Sequence, residues 1–300
     1  MHDRSLNDQQ VRTGETLNER FAGRRLGVAT IHGKESVIGP ALMKMLPIDG
    51  FTAIDGVDTD RFGAFSGEVR RVLDPLETCK AKARHGAHVS GLDLVVASEG
   101  SFGPYPPAPF MSCDQEILAL YDAHDGTFFE YCHVSLNTVF GGETCTELRQ
   151  VKAFAERMKF PTHGLVVRTR EKWCADDAMK KGITDEAEIS EFVTWLIEKY
   201  GSCWVETDMR AMMNPTRMRV IGETAERFAQ ELATLCTFCG SCWFRITQAL
   251  PGLPCGLCGW PTESIRAHVR TCRVCAYAST SPRPDGKATE EPQYCGNCNP

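Results

Sequence analysis

Apolar positions along the chain fall into short runs whose spacing switches between two residues and three to four. Arg25–Ile31 is a β-branched run that reads as a strand, and VIGPALMKML after it has helical spacing, with Pro40 in or near the first turn. Phe51–Ile54 reads as a second short strand. DPLETCKAKARHGAHVSG is a clear helix: Asp74 is a good N-cap, Pro75 stands at the first helical position, and Glu77 completes a capping-box-like start. The central stretch is LDLVVASEGSFGP, Leu92–Pro104. Its apolar half is short, β-branched and bounded by glycine, as a strand buried on both faces would be. Ser98–Gly103 then reads either as a ligand-approaching loop at the strand's carboxyl end or as a plain turn with Glu99 solvated.

The proline-rich Tyr105–Pro109 reads as irregular. QEILALYD and TFFEYCHVS flank Ala123–Gly126, and Asp-Gly between two such runs predicts a hairpin. Further on come a helix near Cys145–Met158, a strand at Leu165–Thr169, a helix near Asp185–Lys199 and a strand at Cys203–Glu206. Asn214 and Pro215 open a last long helix, Thr216 to Leu235. Strands alternating with helices, with one internal hairpin, give the expected class: an α/β fold with a mixed sheet flanked by helices. Residues 1–24 are polar and aperiodic and read as a mobile tail, which leaves 25–235 for the α/β domain.

A net charge of −6 gives no general pull toward nucleic acid or anionic lipid. The opening residues lack the apolar centre of a secretory signal, and no run approaches the ~18 apolar residues of a membrane span. The expected compartment is the cytoplasm, with no membrane partner.

Candidate chemistry starts after the first strand, at His32-Gly33-Lys34. A glycine-containing loop running from a strand into a helix N-terminus makes an anion site, where unpaired N–H groups and Lys34 face one ligand. Glu99, with Gly100 and Gly103 beside it, would stand at the carboxyl end of the central strand, where open α/β sheets bind ligands. Glu77 is read equally as a cap and nothing more. The Asp- and Gly-rich loop Asp55–Gly67 is a cation site or simply a turn.

These positions resemble the inosine-triphosphate pyrophosphatase superfamily, which hydrolyses aberrant nucleoside triphosphates to monophosphate and pyrophosphate. ATIHGKESV keeps the Thr and Lys of that family's first loop as Thr30 and Lys34, with His32-Gly33 where the family has Asn. Glu77–Arg84 is similar to its Glu-Asn-Ala-x-x-Lys-Ala-Arg helix, VVASEGSFG to its acidic turn, and Arg217 in NPTRMRV to its late arginine. The resemblance implies Lys34 as a phosphate ligand and Glu77 and Glu99 as magnesium ligands, these three forming the catalytic set. Thr30, His32, Gly33, Lys82, Gly100 and Arg217 would line the nucleotide site. The whole layout, tail included, is also similar to an uncharacterised bacterial family.

Nine of the fifteen cysteines follow residue 235, so the tail is a distinct module, 236–300. Its pattern is Cys236-x2-Cys239-x15-Cys255-x2-Cys258, then Cys272-x2-Cys275-x19-Cys295-x2-Cys298. Both halves match the four-cysteine zinc spacing, and in a reducing compartment such pairs hold metal rather than disulfides. Two structural zinc ions are expected, with the pairs used in sequence order. Zinc ribbons bind nucleic acid, a protein or a neighbouring domain more often than they catalyse. Two readings therefore stand: a magnesium-dependent hydrolase of a nucleotide or other phosphorylated small molecule, and a non-catalytic zinc-ribbon protein binding nucleotide, nucleic acid or protein. A second copy of the chain is a further candidate partner.

Overall fold

The computed structural model describes residues 15–54, 73–172, 174 and 176–300. The Asp55–Gly67 loop lies outside them. The chain divides into two compact units, Gly23–Ala229 and Gln230–Pro300, the latter joined by the described residues before Gly23.

In the first unit, β1 (Arg25–Ala29) pairs in parallel with β2 (Gly50–Ala53) on one side and β3 (Leu94–Tyr105) on the other. β3 then runs antiparallel to β4 (Ala108–Asp122), and β4 to β5 (Thr127–Ser135), giving the order β2-β1-β3-β4-β5. The mixed sheet is flanked as expected. α3 (Pro75–Ser90) lays Cys79, Ala83 and Ala87 against Ala29, Val95, Ala97, Ile117 and Ala119. Small residues on both sides let helix and sheet approach closely. Asp74 Oδ1 accepts from the Glu77 N–H at 3.0 Å, and Gly91 ends the helix in the left-handed conformation. α2 (Glu35–Met43) starts earlier than its apolar spacing suggests, which puts Pro40 inside it.

The loop or turn expected at Ser98–Gly103 is strand. β4 pairs with β3 along nearly its whole length, Gly100 opposite Glu116 and Pro104 opposite Ser112, so the chain gains a backbone partner there instead of turning. The turn falls at Pro106-Pro107, inside the segment read as irregular. β1, in contrast, stops at Ala29 opposite Ala97. β3 thus overshoots it, leaving a ledge at the carboxyl end of β1.

A second sheet was not evident in the chain pattern. β6 (Gly142–Cys145), β9 (Cys203–Thr207), β7 (Leu165–Arg168) and β8 (Met179–Ile183) pair antiparallel in that order. α4 (Leu148–Arg157) and α5 (Glu186–Tyr200) share one core with it, built on Phe154, Leu165, Val193 and Val205. α6 (Pro215–Ala233) is opened by Asn214, whose Oδ1 accepts from the Arg217 N–H at 2.9 Å.

In the second unit β10 (Arg245–Pro251), β11 (Ile265–Thr271) and β12 (Ala278–Pro282) form an antiparallel meander. Part of the stretch read as a mobile tail is ordered here. α1 (Leu17–Phe21) has a capping box from Thr16 and Glu19, and Phe21 is fully buried. Three of the four residues of that box are polar, so an amphipathic spacing was too short to register. Among the described residues no helix is long and apolar enough to cross a membrane.

Candidate functional site

The ledge where β1 ends carries a buried cluster of charge. Lys34 stands at the N-cap of α2, and its Nζ donates to Ser98 Oγ on β3 at 2.9 Å. Lys82, from α3, donates to Glu99 Oε2 at 2.5 Å, with both side chains under a tenth exposed. Arg217, from the first turn of α6, donates from Nε to Glu116 Oε1 at 2.7 Å, and from Nη1 to the Met209 carbonyl. Its guanidinium lies 5.1 Å from the centre of the Phe102 ring. Asp114 is two residues before Glu116 on β4, hence on the same face, and is also fully buried.

Burial and the surrounding cations set the electrostatics. Burial, then Arg217, push Lys34 down to about 8, although Glu116 and Glu99 pull the other way. Burial, with Lys34, Arg217, Arg210 and Lys82 nearby, lowers His32 to about 3, so this imidazole is neutral. Burial and the neighbouring Glu116 raise Asp114 to about 8 against the pull of Arg217 and Lys34.

Of the residues singled out in the sequence, Lys34, Lys82, Glu99, Gly100 and Arg217 belong to this neighbourhood. Thr30 Oγ1 accepts from the His32 N–H at 3.1 Å, and Gly33, at φ +71°, makes the left-handed step into α2. Glu77 is not brought to Glu99. Five residues of helix rotate it by about 140° from Lys82. Its half-exposed carboxylate takes Lys80 at 2.9 Å, while Lys80 also reaches Glu130 on β5. Glu99 in turn is occupied by Lys82. The pair implied as magnesium ligands therefore does not fit a shared cation, and Glu77 keeps its reading as a helix-start residue.

Asp114 and Glu116 were missed. Reading the strand from Gln115 cut Asp114 away, yet the acids share parity with Leu118 and Leu120, which mark a buried face. Gly100 lies opposite Glu116, and a Cβ there would sit 2.3 Å from Arg217 Nη2 and 2.7 Å from Glu116 Oε1. Gly100→Ala is accordingly expected to destabilise the protein by about 1–3 kcal/mol through overpacking, checked by urea unfolding.

In the second unit the eight expected cysteines gather in two quartets, each with its Sγ atoms within 4.8 Å of one another. The partition differs from sequence order: Cys236, Cys239, Cys272 and Cys275 form one, and Cys255, Cys258, Cys295 and Cys298 the other. The meander causes this. β10 and β11 are antiparallel, so the pair before β10 and the pair after β11 meet at one end of the sheet, Arg245 being opposite Thr271. The pair after β10 and the pair beyond β12 meet at the other. Sulfur separations of 3.6–3.9 Å match the roughly 3.8 Å edge of a tetrahedron with 2.3 Å metal–sulfur bonds. The Leu257 and Val274 N–H groups donate to Cys255 and Cys272 Sγ at 3.4 Å, orienting those sulfurs. Each quartet could hold a metal ion, and four thiols in this spacing suit zinc.

A family model described as a domain of unknown function (DUF6671) matches residues 82–300. The chain belongs to the DUF6671 family. The DUF6671 match takes in Lys82, Glu99, Asp114, Glu116, Arg217 and both cysteine quartets, and begins after Lys34 and Glu77. Comparison with curated proteins and with solved structures gives no match.

Proposed function

We propose that the α/β unit binds a nucleotide or other phosphorylated small molecule by its phosphate at Lys34 and hydrolyses it, while structural zinc fills the two cysteine quartets. The observation that carries this reading is the state of Lys34. Its ammonium is buried, and its hydrogen-bond partner on the ledge is the neutral Ser98 hydroxyl. The neighbouring cations Lys82 and Arg217 each have a carboxylate of their own, in Glu99 and Glu116. With Asp114 protonated the cluster has one positive charge in excess, which an anion would neutralise. The resemblance of the Thr30–Lys34 loop to that of the inosine-triphosphate pyrophosphatases points the same way. A second reading, a phosphate-binding protein without catalysis, is favoured by one observation: Glu99 is engaged by Lys82.

Zinc-replete protein screened by thermal shift against nucleoside mono-, di- and triphosphates and sugar phosphates is expected to gain stability with at least one of them. A ligand at a hundred times its Kd contributes about 2.7 kcal/mol. Lys34→Met should erase that gain without unfolding the protein, and product formation separates enzyme from binder. No gain with any phosphate compound, or an undiminished gain in the variant, would overturn the site.

The pH dependence has a definite sign. A phosphate monoester is a dianion above about pH 6, and Lys34 loses its proton through about 8, so affinity should peak between these values and fall above. Unliganded stability moves the other way in the alkaline range. The unfolded lysine titrates near 10.4, so between about 8 and that value the unfolded chain binds more protons and Lys34 makes stability rise with pH. Titrating affinity and urea midpoint side by side checks both.

A further inference from the structure

Asp114 and Glu116 hold acceptors that nothing in the ion pairs around them uses. Both side chains are at most 1 % exposed. Among the described residues neither oxygen of Asp114, nor Oε2 of Glu116, has a hydrogen-bond donor. Three orphaned carboxylate oxygens inside a protein are costly, and such groups are met by a donor, a proton or a cation. A proton shared between the two carboxyls would satisfy one contact and leave an Asp114 oxygen unmet.

The surroundings favour a cation. The two acids project from the same face of β4, opposite Phe102 and Gly100 on β3. Gly100 contributes no side chain to that face, where Arg217 and Glu116 Oε1 already fill the place a Cβ would take, so it brings no donor to the orphaned oxygens. The donors are hard oxygens alone, a set that suits magnesium or manganese, and magnesium is commonly held by one or two carboxylates with water and substrate phosphate completing its shell. Charge balances as well: with Asp114 ionised, the three acids offset Lys34, Lys82 and Arg217, and a divalent cation then matches a phosphate dianion.

We propose that Asp114 and Glu116 together form a magnesium site beside the Lys34 anion site. This deepens the phosphohydrolase reading by giving it a metal that Glu77 and Glu99 do not supply, and it is tested with metal alone so that the two can fail separately.

Zinc-replete protein is titrated with Mn²⁺, free ion being read by its electron paramagnetic resonance signal. One Mn²⁺ per chain should bind, be displaced by Mg²⁺, and broaden the amide resonances of Gly100, Phe102 and Ser135 before others. Asp114→Asn should weaken binding at least ~10-fold, since loss of outer-shell partners alone costs about 10–100-fold. Should that variant not fold, the broadening pattern in the unaltered protein decides. No Mn²⁺ uptake, broadening centred elsewhere, or unchanged affinity in folded Asp114→Asn would overturn the site. Mn²⁺ bound at these amides with no phosphate compound recognised would uphold the site and end the hydrolase reading. Phosphate binding without Mn²⁺ uptake would do the reverse.

Discussion

Cys272→Ser is expected to abolish the metal at one quartet and unfold much of the C-terminal unit. Cys272 is buried, and its Sγ lies 3.7 Å from that of Cys239 and packs with Phe244. Among the described residues the cluster around it is Phe244 and cysteines, so little apolar packing holds this site without its metal. Structural zinc is worth roughly 10–16 kcal/mol of apparent binding free energy in zinc-finger peptides, and where no preformed site exists that energy is folding energy. Losing the metal from such a site removes an amount comparable to the whole stability of an ordinary domain, about 5–15 kcal/mol. Metal analysis and the near-ultraviolet circular dichroism of Trp243 and Trp260 measure the loss. The partition itself is read with cadmium-113 in place of zinc. The β protons of Cys236, Cys239, Cys272 and Cys275 should couple to one cadmium resonance, and those of the other four to a second. Cys236 and Cys255 on a single resonance would refute the pairing.

The second large effect is expected at Arg217. Arg217→Met keeps much of the side chain's volume and removes the guanidinium that meets Glu116 at 2.7 Å and stacks on Phe102. Both members of the pair are about 1 % exposed, so solvent cannot take over the abandoned carboxylate. Breaking a buried pair from one side costs about 3–5 kcal/mol, because an uncompensated charge stays inside. Urea unfolding at pH 7 should show that loss. The double variant Arg217→Met/Glu116→Gln should recover part of it, since the stranded charge is then gone too. A loss below ~1 kcal/mol in the single variant would mean that the carboxylate finds water or another cation.

Much of this arrangement was legible from local chemistry. Asp74, Pro75 and Gly91 delimit α3 by capping rules that need no tertiary contact, and Asp125-Gly126 marks the hairpin between β4 and β5. Lys34 and Glu99 were found because each is a charged residue in an apolar, glycine-bearing context. What escaped depends on pairing across the fold. Nothing within Ser98–Gly103 says that Cys113–Leu118 will lie beside it, and that partner turns a glycine-rich turn into strand. β6 and β8, GETC and MKKGI, have no apolar alternation of their own and are strands because β9 and β7 stand next to them. Glu77 and Lys82 share one motif in sequence, but helical rotation sends one to solvent and the other to Glu99. The cysteine spacing likewise announces two sites and is silent on their membership, which the direction of β10 and β11 decides.

That membership bears on how the C-terminal unit can change over generations. With sites filled in sequence order, each half would carry a whole site and could be lost, duplicated or exchanged separately. Here a genetic crossover between Cys258 and Cys272 would pair one parent's cysteines with the other's at both sites simultaneously. Variation that alters the distance between the ends of the meander at one knuckle must be answered at its partner more than thirty residues away. Removing or exchanging either half alone would therefore break both sites.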